Sequence, residues 1–110
     1  MAEPEVNVFS FTIDDLRELR FENGTRLFAE LWETCSVADL RAHATQLNGL
    51  ELLARPNTHL DPAALLSFCY REFEFFVTAS ESEYMFYAID AAAPDSVLMA
   101  AAMHLSLIHI

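Results

Sequence analysis

The stretch FCYREFEFFVTASESEYMFYAID, residues 68–90, decides the fold. Phe73, Phe75 and Val77 recur at every second position, with Glu72 and Glu74 on the alternate positions. That is the period of a strand with one buried and one solvated face, and a strand is expected over 68–78. Ala79-Ser80-Glu81-Ser82 reads as a four-residue hairpin connection. The return strand is expected over 83–90. It sets Tyr84, Phe86 and Ala88 on one face and Met85, Tyr87 and Ile89 on the other. Both faces are apolar or aromatic, so this strand belongs in the middle of a sheet, or between a helix and a partner.

Outward from this hairpin, helical signals prevail. Downstream, Pro94-Asp95-Ser96 opens a helix expected over 95–104. Upstream, Asp61-Pro62 suits a short helix start, with Asp as cap and Pro at the first helical position. Residues 50–55 fit either a short strand or a further helical turn. Ser36-Val37-Ala38-Asp39 resembles a helix cap. Its helix, expected over 37–47, would turn Val37, Leu40, Ala44 and Leu47 inward and stop at Asn48-Gly49. Leu27, Phe28, Leu31 and Trp32 form an i, i+1, i+4, i+5 stripe that predicts a helix over 25–34. Asn23-Gly24 separates it from a helix over 14–22, capped by Thr12 with Asp15 three residues on. Before that, Phe9, Phe11 and Ile13 alternate, which predicts a first strand over 6–13. The expected fold class is therefore α+β: a small antiparallel sheet of about three strands (6–13, 68–78, 83–90) covered by four helices (14–22, 25–34, 37–47, 95–104).

Composition narrows the function. Of 110 residues, 54% are hydrophobic, which excludes a disordered chain. All six basic residues are Arg, there is no Lys, and 17 acids bring the net charge to −11. Such a chain repels nucleic acid and anionic membranes, so neither is an expected partner. The charge is also uneven. Residues 72–110 hold six carboxylates and no Arg or Lys. These acids can be neutralised only from elsewhere in the chain, by another protein or by cations. The expected partner is a protein with a basic surface, or a second copy of this chain.

Motifs for chemistry are sparse. Gly24 and Gly49 are the only glycines, so no glycine-rich loop can cradle a phosphate. Without Lys there is no Schiff-base chemistry. Cys35 and Cys69 show no ligand spacing, and His43, His59 and His104 form no paired-ligand motif. Cys35 lies beside a helix start that would lower a thiol pKa, but His43 is two helical turns away, too far to act as its base. His59 and Asp61 make a weak loop pair. Asn23-Gly24-Thr25 matches a glycosylation sequon and reads better as a turn. No catalytic residue, metal ligand or cofactor is expected, and the reading leans away from an enzyme. The candidate binding residues are the acids around the hairpin: Glu72, Glu74, Glu81 and Glu83.

The start, Met1-Ala2-Glu3-Pro4-Glu5, has neither the basic nor the apolar region of an export signal, and no apolar run approaches the ~18 residues of a membrane span. A cytoplasmic setting with reduced cysteines is expected. At the other end, Leu105-Ser106-Leu107-Ile108-His109-Ile110 matches, at every position, the in-frame translation of a transposase-end adapter used for sequencing libraries. Residues 1–104 are therefore read as one α+β domain truncated at its C-terminal end, and 105–110 as a non-native tail. The function expected is that of a small acidic non-catalytic domain acting through contact with a basic protein. The alternative is a structural or dimerising domain, such as the N-terminal part of a longer protein.

Overall fold

A computed structural model of the chain describes residues 12–32, 35–55 and 61–106. The described residues form an α+β fold dominated by one antiparallel sheet of six strands, with two helices. The strands are β1 (Leu19–Arg20), β2 (Arg26–Trp32), β3 (Leu50–Leu52), β4 (Leu66–Tyr70), β5 (Phe73–Ser80) and β6 (Glu83–Ala88). The helices are α1 (Val37–Ala44) and α2 (Asp95–Leu105). The spatial order is β1-β2-β6-β5-β4-β3. β3 to β6 form a meander, and β6 then closes against β2. The connection through α1 carries the chain from β2 to the far edge of the sheet.

This corrects the expectation of about three strands under four helices. The segment 25–34 is a strand over Arg26–Trp32, and its register against β6 shifts between Leu27 and Ala29. That β-bulge breaks the period of two: Phe28 and Ala29 both join the core while Leu27 is buried on the other face, and the sequence imitates a helical stripe. Asn23-Gly24 serves the β1–β2 hairpin rather than a helix break. Asn23 Oδ1 accepts from the Thr25 backbone N–H at 3.1 Å and from the Thr25 hydroxyl at 2.8 Å. The segment 14–22 shrinks to a 3-10 turn over Ile13–Asp15 followed by β1. Thr12 and Asp15 do pair, the Thr12 backbone N–H and hydroxyl donating to Asp15 Oδ2 at 2.9 and 3.1 Å. No buried residue on that turn rewards further helix.

The strand expected over 68–78 is two strands. Arg71 and Glu72 turn the chain with φ of 51° and 73°, between the paired residues Tyr70 and Phe73. Residues 50–55 supply β3. The first strand expected over 6–13 lies outside the described residues except for Thr12 and Ile13, and Ile13 belongs to the 3-10 turn.

Two helix readings survive. Ser36 caps α1 by accepting from the Asp39 N–H at 3.1 Å, although α1 stops at Ala44 instead of 47. Gly49, with φ of +94°, lets the chain turn from there into β3. α2 begins at Asp95 as expected and includes Leu105, which is buried. Val97, Leu98, Ala101, Ala102 and Leu105 form its buried stripe.

Both helices share one core with one face of the sheet. Phe28, Phe68, Phe75 and Phe86 are fully buried there with Leu40 and Leu98. Phe75 meets Phe28 edge-on at 5.6 Å and Phe68 face-on at 5.1 Å. Ring pairs at these separations add about 0.5–1.5 kcal/mol each beyond their area burial.

A carboxylate-flanked sheet face as candidate functional site

Directly paired residues of an antiparallel ladder share a face. Because Phe75, Val77, Tyr84 and Phe86 point into the core, their sequence neighbours point to the opposite face. One row across that face reads Leu19, Leu27, Tyr87, Phe76, Ser67. A second row, two residues along, reads Glu30, Met85, Thr78. On the other side of the first row lies Glu51, Cys69, Glu74. Successive rows stand about 7 Å apart, two residues of strand rise.

The face therefore has an aromatic middle and acidic flanks. Tyr87 stacks on Phe76 with centroids 4.6 Å apart and planes within 6°. Phe21, from the β1–β2 loop, lies 6.0 Å from Tyr87 on a tilt. Phe76 is buried, Tyr87 and Met85 are half-buried, and Leu19 and Phe21 are 53% and 43% exposed. Arg17 reaches the edge of the face, its Nη2 3.3 Å from Glu30 Oε1.

The four acids read from the sequence are spread along this hairpin rather than gathered. Glu74 and Glu83 are half-buried on this same face. Glu83 pairs with Ser80, six residues along β5 from Glu74, so about 20 Å separates them. Glu72 and Glu81 are exposed in the turns at opposite ends of β5, both at positive φ. The sheet brings Glu30 and Glu51 to the face beside Glu74 and Glu83. Sequence reading missed both. Glu30 was hidden by the helical reading of β2, and Glu51 by the ambiguity of 50–55.

The row Glu51–Cys69–Glu74 has one electrostatic consequence. Partial burial raises the Cys69 thiol above its ordinary value of 9.0, and the carboxylates of Glu74 and then Glu51 push it further. A raised thiol is a poor nucleophile at neutral pH. Among the described residues, no group of three or more His, Cys, Asp or Glu side chains is placed to hold a metal ion. No described helix is long and apolar enough to cross a membrane.

The remaining sequence candidates are scattered. Cys35 precedes the Ser36 cap, and its carbonyl accepts from the Tyr84 hydroxyl at 2.6 Å. His59 lies outside the described residues. His43 and His104, which no sequence spacing linked, are brought ring to ring by the packing of α1 on α2. No protein-family model, curated protein or solved structure matches this chain.

Proposed function

We propose that the chain is a small acidic non-catalytic domain that works by contact with a basic protein surface, through the hairpin acids Glu72, Glu74, Glu81 and Glu83 and the sheet face they border. The observation that carries this reading is the charge of residues 72–110, six carboxylates with no Arg or Lys. The placement of Glu30, Glu51, Glu74 and Glu83 on the face that carries the half-buried Tyr87 ring and the exposed Phe21 ring supports it. Such a surface suits Arg side chains, which pair with carboxylates and lie against aromatic rings. Nucleic acid and anionic membranes are not partners in this reading, because a net charge of −11 repels both. A cytoplasmic setting belongs to the same proposal.

Calorimetric titration with an arginine-rich peptide, repeated across a salt series, tests it. Binding that weakens steadily as salt rises is the expected result. Failure to bind at low salt, or binding indifferent to salt, would sink the electrostatic reading.

The exposure of Leu19 and Phe21 favours a second reading, self-association through the β1 side of the same face. Light scattering separates the two. A dimer supports self-association, and a monomer that still binds the peptide supports the first reading alone.

A further inference from the structure

His43 stands one residue before the end of α1, and His104 one residue before the end of α2. Their rings stack with centroids 4.2 Å apart and planes within 8° of parallel. Each ring also reaches the other's backbone. His43 Nε2 lies 2.7 Å from the His104 carbonyl oxygen, and His104 Nε2 lies 2.7 Å from the His43 carbonyl oxygen. A carbonyl oxygen only accepts, so both Nε2 atoms bear the hydrogen, and each Nδ1 is the position left for a further proton. The contact is reciprocal, and it ties together the last turns of the two helices.

Charge acts on this contact in two opposed ways. The C-terminal end of a helix favours a cation, and a charged N–H donor bonds a carbonyl more strongly than a neutral one. One added proton is therefore accommodated. A second proton puts two like charges on rings 4.2 Å apart, close enough to repel even in water. Among the described residues, countercharge is scarce around them. α1 offers Asp39, one turn before His43, and this is offset by Arg41. The only carboxylate of α2 is Asp95, nine residues away at the other end of the helix. β3, the strand that α1 packs beside, holds only Glu51, on the opposite face of the sheet.

We propose that the His43–His104 stack is a proton-sensitive clasp, which holds α1 on α2 with no charge or one charge and releases that contact when both rings are protonated. The clasp stands apart from the acidic face and does not depend on the function proposed for it.

Amide hydrogen exchange on the whole chain tests this, read as protection factors at about pH 7.5 and about pH 5, the range over which His changes charge. The comparison includes His43→Gln and His104→Gln, since Gln keeps an N–H donor and cannot titrate. In the wild type, amides of α1 and of the last turns of α2 should lose about tenfold protection or more on acidification, while those of β5 and β6 hold. Each single variant, limited to one ring charge, should lose less than about threefold. Unchanged protection in the wild type, equal loss in the single variants, or equal loss throughout the sheet would each overturn the proposal. Should the variants not fold, the ring resonances of the wild type decide. Two separate titration steps with loss of α1 protection only in the second support the clasp, and one common step without loss refutes it.

Discussion

The Arg26 guanidinium lies 3.1 Å from the Asp95 carboxylate, across 69 positions of sequence. The Arg26 side chain is only 5% exposed, and its Nε donates to the Arg17 carbonyl at 2.9 Å. One side chain at the start of β2 thus holds both the segment before β1 and the first turn of α2, where an Asp also suits the helix dipole. Arg26→Ala should lower stability by about 2–4 kcal/mol, the loss of two charge-assisted hydrogen bonds. Asp95→Asn should cost only about 1 kcal/mol, because Asp95 is 62% exposed and the amide oxygen can still accept. Urea unfolding of both variants checks this, and a larger effect for Asp95→Asn would contradict it.

Arg71 and Glu72 make a two-residue turn with both φ values positive, a geometry that suits Asn-Gly and costs other residues strain. Replacing the pair with Asn-Gly should stabilise the fold by about 1 kcal/mol, which is ~4 °C in the thermal midpoint of a chain this size. Arg71 also lies over the Tyr70 ring, 5.1 Å from its centroid. A lower midpoint would mean that this cation–π contact outweighs the strain of the turn.

That turn also shows where the sequence was legible. Alternation in Phe73, Phe75 and Val77 marked the core face of β5, because Glu72 and Glu74 take the alternate positions; in β6 the alternation showed a strand but not which face is core, since both faces are apolar. Arg71-Glu72 carried no Gly or Asn, so two strands read as one. In β2 the bulge at Phe28 hid the alternation, and the helical stripe it left was more regular than the strand it concealed. The Ser36 cap and the Thr12–Asp15 pair were legible because they are local. How far each helix runs depends on burial by distant residues: Leu40 and Ala44 extend α1 against the core, while nothing buried follows Thr12. The face with Glu30 and Glu51 needed strand order, which local patterns do not encode.

Cys69 makes a prediction about pH. Its raised thiol keeps the proton more tightly in the folded state than in the unfolded chain. The associated stability is present below the ordinary value of 9.0 and is lost as pH rises past it. Cys69→Ala should therefore lose less stability on going to alkaline pH than the wild type. At about pH 8, iodoacetamide should alkylate Cys69 more slowly than the same thiol in urea, and Glu74→Gln should speed the reaction in the folded state by removing one opposing charge. Faster alkylation in the folded wild type than in urea would contradict the assignment.

The acidic face makes the last prediction. Glu74 and Glu83 are half-buried on the sheet, whereas Glu72 and Glu81 are exposed in turns, where salt and water screen them more. Glu74→Gln with Glu83→Gln should weaken binding of an arginine-rich peptide by roughly 0.5–1 kcal/mol per carboxylate at low salt. Glu72→Gln with Glu81→Gln should weaken it less, despite removing the same charge. Because both double variants change the net charge equally, non-specific attraction alone would lower affinity equally in the two. An equal loss would thus point to bulk charge, and a larger loss from the turn pair would move the contact from the sheet face to the ends of the hairpin.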